Sequence, residues 1–388
     1  MKRIIAGLVV ALAMRASPLA AADSFDLPVL ISLTGPFAFL GQKEAQALRA
    51  VESVANATGG IGGRPVHFVL NDIQSNPVVA VQLVAPILTN KTPAILGPEP
   101  GAAVLAIEPI VKQSAVLYVL AASIHPKPGS YTFSNETSTD VLLFAGVRYL
   151  NARGLNKIGM IASTDATGND QIEQVTQATR SPGMGATSIV GVERFATTDI
   201  SVASQLARLK AAGAEAVFVG TTGTGFGTVL HGISDMGWDV PVMTNAGNII
   251  REQIEQYKSF LPKQVFFTGA RFMSHTIARS GPVRDAQTTF YKALRAQGVT
   301  RPDFGSAVVW DPAWVVISGL RKLGTSASAA QLHDYIEALH GFAGINGIMD
   351  FRDGNQRGLG LNAALIVRWD SAQDDWVPVS EPGGLPLK

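Results

Sequence analysis

Gly220, Gly223, Gly225 and Gly227 lie in GTTGTGFG, after a strand-like run and before a helix-like one, where a pyrophosphate-binding turn would sit. The order is not GxGxxG, and no partner strand ends in a ribose-binding acid. The stretch therefore reads as a ligand-facing loop or a tight turn, although a nicotinamide-dependent oxidoreductase stays open as an alternative. His67, His125, His231, His275, His333 and His340 show neither HxH nor HExxH spacing, so none has a visible partner for metal binding or general-base work. No GxSxG elbow offers a serine nucleophile, and zero cysteines removes thiol catalysis, disulfides and thiolate metal sites. Catalytic residues, metal sites and cofactors are all expected to be none. What the spacing offers is hydrogen bonding: in open α/β sheets ligands lie outside the carboxyl ends of the strands, and here those ends carry small and hydroxyl residues.

The loops concerned are Thr34 to Gly41, Gly97 to Ala103 and Ala121 to His125 in the first half, then Asp165 to Gly168, Thr221 to Gly225 and Thr244 to Gly247. Gly97 to Ala103, which includes Pro100, Gly101 and Ala102, and Ala121 to His125 are both short of bulky side chains, and exposed backbone N–H groups there, at a helix start, suit a carboxylate. Ser123, Thr167 and Asn245 either bind a ligand or cap local turns. Phe37, Phe39 and Leu40 give a ligand an apolar wall, with packing against their own lobe as the alternative for the two phenylalanines.

The elements that hold these loops alternate as strand and helix almost from end to end, the pattern of parallel sheets covered on both faces. Strands are expected at Leu27 to Leu33, Val66 to Leu70, Ala94 to Leu96, Val116 to Leu120, Lys157 to Ala162, Ala216 to Gly220, Val265 to Thr268 and Ala364 to Trp369. Asp199 is expected to cap a helix with Val202, Leu206 and Leu209 on one face. Asp311-Pro312 opens or bends another, in which Trp310 and Trp314 read as core. Gly59 to Val81, GGIGGRPVHFVLNDIQSNPVVAV, compresses a glycine turn, a strand, an acidic strand end (Asp72), an N-cap (Asn76) and a helix-starting proline (Pro77) into one βα unit. Arg352, Asp353 and Arg357 read as a solvated turn.

Of the 388 residues, the first 22 read as an export signal: Lys2 and Arg3, an apolar run from Ile4 to Met14, then Ala20-Ala21-Ala22, with cleavage after Ala22. The remainder is long enough for about two domains. A net charge of +1 argues against nucleic acid as a partner.

The Gly59 to Val81 cassette, the Thr34-Gly35-Pro36 and Gly41 loop before it, DISVASQLARLKAAGAEAVFVG from Asp199 to Gly220, HGISDMGWDVPVM after it and the closing INGIMDFRDGNQRG together resemble the type I periplasmic substrate-binding proteins of the branched-chain amino-acid ABC transporter family. The resemblance covers nearly all of the mature chain. It implies an α/β protein of two doubly wound lobes joined by a three-strand hinge, with crossings near Ser134 to Glu136, Gly269 to Phe272 and Met349 to Phe351. Lobe 1 is then 23–135 plus 271–350, and lobe 2 is 136–270 plus 351–388. It also implies a periplasmic monomer that docks transiently on an ABC permease in the inner membrane, without a lipid-bearing cysteine. Carried over position by position, the family's carboxylate-gripping serine falls on Gly101 and its partner threonine on Ile124, beside Ser123 and Ala122. Its ligand-closing tyrosines fall on Thr167 and on Thr222 or Gly223, and the glutamate that pairs with an amino group falls on Ala246, beside Asn245. A buried ammonium without a carboxylate is costly, so the expected ligand is a small organic acid with an aliphatic or aromatic body. An amino acid, or a sensor that docks a signalling partner, are the alternatives.

Overall fold

Parallel strands form because the sequence supplies unbroken apolar runs: Ala216–Gly220 is buried at every position, as a strand covered by helices on both faces requires. The computed structural model describes residues 23–387, so the expected export signal lies outside the described residues. The first sheet contains β1 (Phe25–Ile31), β2 (Val66–Asp72), β3 (Ala94–Leu96), β4 (Val116–Tyr118) and β5 (Thr132–Phe133), in the order β2-β1-β3-β4-β5. All its neighbouring pairs are parallel. The second contains β6 (Lys157–Ser163), β7 (Ser188–Phe195), β8 (Ala216–Gly220), β9 (Val242–Thr244) and β10 (Val265–Ala270). A hairpin of β11 (His340–Gly344) and β12 (Gly347–Asp350) follows, before β13 (Ala364–Asp370) and β14 (Asp375–Pro378) rejoin the second sheet, ordered β14-β13-β10-β9-β8-β6-β7. β13 runs antiparallel to β10, and β14 to β13.

The result is an α/β molecule of two lobes, each a helix-covered sheet with a core on both faces. The chain passes between the sheets after β5, after β10 and after β12. In each sheet the first strand has its sequence successor on one side and the next strand on the other, which opens a crevice at its carboxyl end. Both lobes shape that end identically. A Cβ at Gly41 would lie 2.1 Å from the Ser32 carbonyl oxygen, and one at Gly168 1.9 Å from that of Ser163, so only glycine lets the first helix sit so close to the strand end.

All eight expected strands are present, with ends within two residues. The sequence reading misses β5, β7, β9, β11, β12 and β14. β7 is an edge strand whose eight residues include only one fully buried position, Phe195, so no apolar run marks it. Four expected loops are shortened by α-helices that begin at Ala38, Gly101, Ala166 and Thr224. Asp199 is not a helix cap: its Oδ2 accepts from the Ala196 backbone N–H at 2.9 Å, and the helix Ala203–Ala211 starts after Val202. The Asn76 side chain does cap the helix Pro77–Thr89, accepting from Val78 N–H.

Asp311 sits in the first turn of the helix Trp310–Leu323 and fixes the hinge from the first lobe. Its carboxylate, 2% exposed, accepts from the N–H of Ile345 at 2.9 Å and of Asn346 at 3.4 Å. Asn346 Oδ1 in turn accepts from Phe272 N–H at 3.0 Å. One buried acid thereby ties the β11–β12 turn to the passage after β10. Trp310 packs as core, its ring 5.1 Å from that of Phe290.

Candidate functional site: the interlobe cleft

The carboxyl ends of both sheets face one cleft. A cavity of about 480 Å³ there is lined by Ala122, Ser123 and Phe304 from the first lobe. Opposite stand Thr167, Asp170 and Gln171 after β6, Thr222 after β8, Asn245, Ala246 and Gly247 after β9, and Thr268 on β10. Glu136, in the passage after β5, and Thr139, Leu142 and Leu143 on the following helix complete the wall. A second cavity of about 720 Å³ adjoins it, sharing Ala246, Gly247 and Phe304 and adding Phe39 and Leu40.

Of the residues proposed from sequence, Ala122, Ser123, Thr167, Thr222, Asn245 and Ala246 come together in the first cavity. Phe39 and Leu40 line the second. Pro100, Gly101, Ala102, Ile124 and Gly223 line neither. Gly101 abuts the site, since a Cβ there would stand 3.0 Å from Ser123 Oγ. Ile124 is 8% exposed and packs into the first lobe's core, and Gly223 caps the helix Thr224–Asp235 with φ of +67°. Phe37, 39% exposed, lies outside both cavities.

Local geometry explains the polar residues. The Asp165 side chain accepts from Gly168 N–H at 2.9 Å and presents Thr167 in the first turn of the helix Ala166–Thr179. Asn245 is committed to its own turn: Nδ2 donates to Gln171 Oε1 and to the Thr221 carbonyl, both at 3.1 Å, and Oδ1 accepts from Gly247 N–H at 2.9 Å. It shapes the loop rather than offering a free donor. Asp72 shapes the first-lobe loop in the same way, accepting from Leu33 and Thr34 N–H and from Thr34 Oγ1. The glycine-rich stretch makes room for rings: a Cβ at Gly227 would meet the Tyr257 ring at 2.7 Å, and Tyr257 donates its hydroxyl hydrogen to the Gly223 carbonyl at 3.2 Å.

Ala246 lines the cleft and supplies no acid there, but an acid lines it from elsewhere in the chain. Glu136, 5% exposed, faces the first cavity. Burial pushes its carboxyl up to about 8, with Arg357 drawing it down and Asp311 adding to the rise. Burial likewise raises Asp311 to about 7 against its two backbone hydrogen bonds. It also raises Glu99, whose carboxylate accepts from Ser32 N–H at 3.0 Å, and Glu44, neither of whose oxygens has a partner. Neither lysine, arginine nor histidine lines the first cavity.

Arg357 is not part of a solvated turn either. Arg352 pairs with Asp350 at the surface, but Arg357 is directed inward and donates to the carbonyls of Glu136 at 2.6 Å, Ala122 at 2.8 Å and Ile124. It ties the passage after β12 to the passage after β5 and to the Ser123 loop. Sequence reasoning also missed Phe304, Thr139, Leu142, Leu143, Asp170, Gln171 and Thr268. For Thr139 the one available signal was a hydroxyl at the start of a helix.

Among the described residues no group of three His, Cys, Asp or Glu side chains is arranged to hold a metal, and no helix is long and apolar enough to cross a membrane. No curated protein matches the chain. Among solved structures it is similar to an extracellular ligand-binding receptor from Rhodopseudomonas palustris, with 21% identity over 92% of this chain and 99% of that one and a TM-score of 0.76. It is also similar to an ABC transporter substrate-binding protein from Sphaerobacter thermophilus, with 16% identity over 94% and 96% of the two chains and a TM-score of 0.75. A fatty acid ABC transporter substrate-binding protein from Thermomonospora curvata matches at 19% identity over 93% and 92%, with a TM-score of 0.70. The family model described as periplasmic binding protein matches residues 25–374, and the chain therefore belongs to the type I periplasmic binding protein family.

Proposed function

We propose that this protein is the solute receptor of an ABC importer, taking up a small organic carboxylate with an aliphatic or aromatic body in the periplasm and presenting it to a permease. The lobes divide as 23–135 plus 271–350 and 136–270 plus 351–388, and close about the three passages. The observation that carries this reading is the cavity built from both lobes at the carboxyl ends of both sheets. A ligand held by one wall gains the other only on closure, so binding shifts the population toward the closed form. The carboxylate meets Ser123, Thr167 and Thr222 hydroxyls and the protonated Glu136, while Leu142 and Phe304 meet the apolar body. A thermal-shift screen of aliphatic and aromatic carboxylates against amino acids should find a ligand that stabilises the protein by about 2.7 kcal/mol at a hundred times its Kd. X-ray scattering should then show a smaller radius of gyration at saturation. Unchanged dimensions with a bound ligand would count against closure.

Glu136 also supports a second reading, in which its carboxylate pairs with the ammonium of an amino acid. The sign of the pH dependence separates the two. An anionic ligand binds the protonated acid, so its Kd should rise above about pH 8, by up to tenfold per pH unit. An ammonium ligand binds the ionised acid, so its Kd should fall as pH rises toward 8. Calorimetric titration from pH 6 to 9 decides between them, and Glu136→Gln should abolish either trend.

A further inference from the structure

The larger of the two cleft cavities is not needed for a small solute. It adjoins the first over a shared wall of Ala246, Gly247 and Phe304 and holds about 720 Å³ against about 480 Å³. Its lining is largely apolar, with Phe39 and Leu40 on the first turn of the helix Ala38–Ala57 and Ile250 on the facing lobe. Lys43 and Asp303, two of its three charged residues, neutralise each other in an ion pair. Phe39 remains 49% exposed although it sits in the cleft, and apolar surface left bare inside a concave site is what a ligand covers. Ala246, with its short side chain, is one of the residues that line both cavities.

We infer that the ligand is elongate, with its polar head between Ser123 and Glu136 and an apolar chain that runs past Ala246 and Phe304 into the second cavity, against Phe39, Leu40 and Ile250. This rests on the reading of the protein as a carboxylate receptor. The head group sets orientation, and the second cavity sets the preferred length. A short acid fills only the first cavity and leaves Phe39 in water. A long one removes both its own methylenes and that ring from solvent on closure.

Calorimetric titration of the full mature chain with butyrate, hexanoate, octanoate and decanoate at pH 7 tests this. Kd should fall by about fourfold per added methylene until the second cavity is filled. Ile250→Asn, which places an amide against the chain, should narrow the ratio between the butyrate and octanoate constants at least fivefold. A Kd that is flat or rises with length while butyrate binds overturns the elongate ligand and leaves the receptor reading standing. Failure of all four acids to bind overturns the elongate ligand, and failure of benzoate and phenylacetate in the same titration overturns the carboxylate reading with it.

Discussion

Replacing Arg357 by methionine should cost about 3 kcal/mol of stability, because three carbonyl oxygens lose a charged donor at one stroke. The guanidinium bonds Glu136 O and Ala122 O at 2.6 and 2.8 Å, and Ile124 O as well. Each bond to a charged group contributes about 1.5–3 kcal/mol. Against their sum stands the cost of burying the guanidinium, whose Nε has no partner. Methionine fills comparable space but donates nothing, so the carbonyls remain desolvated and unpaired. For a lobe of this size the loss corresponds to a fall in Tm of about 6–12 °C. Arg357→Lys should recover part of it, since an ammonium can reach some of the carbonyls but lacks the planar fork. A methionine variant within 1 kcal/mol of the parent would show that the three contacts do not hold the hinge. Binding should weaken as well, because the same bonds fix the backbone on either side of Ser123.

Why the sequence reveals the Thr167 and Thr222 loops but not Arg357 is a matter of distance along the chain. Strand ends, caps and glycine turns are set by neighbours. Asn76 bonds Val78 two residues on, and Ser163 lies five residues before the Gly168 that packs on its carbonyl. Such signals place both sheets, the crevice between them and the hydroxyls that face it. Glu136 and Arg357 are separated by 221 residues, and neither flanking sequence differs from an ordinary polar turn. Their role arises only because two separate passages between the lobes run side by side. Phe304 belongs to the same class, a first-lobe residue that reaches the cleft from the far end of the chain. Asn245 shows the opposite failure: the right place in the cleft, but with its amide consumed by Gln171, Thr221 and Gly247. A strand-end polar residue is a site candidate only if its turn leaves it unbonded, and that is not written in residue type. Asp199 fails similarly, as a capping residue type whose carboxylate closes the preceding turn instead.

Stability should fall as pH rises from about 5 to 8, the reverse of the usual behaviour of surface acids. Glu136 moves from an ordinary value of 4.5 to about 8 and Asp311 from 3.8 to about 7, each chiefly through burial. Between those limits the folded protein holds protons that the unfolded chain has released, so the derivative of unfolding free energy with pH is negative. The stabilisation is complete below the unfolded values and is lost as pH climbs through the folded ones. Lowered acids act in the other window: Asp72 and Asp165, where hydrogen bonds outweigh burial, withdraw their contribution only on acidification below about 4. The maximum should therefore lie near pH 4–5. Glu136→Gln removes one proton site without removing the carbonyl that Arg357 holds. It should match the parent at pH 5 and exceed it at pH 8.5 by on the order of 3 kcal/mol. Urea midpoints at the two pH values measure this directly, and a parent equally stable at both would show that neither acid is held protonated by the fold. Arg357 enters here too, because its charge draws Glu136 downward. In Arg357→Met the acid should stay protonated to still higher pH, so the fall in stability should continue further into the alkaline range even as the whole curve drops. Glu136 thus couples hinge, head-group charge and stability through one proton, and a receptor that binds an anion at this position keeps that proton in the bound state.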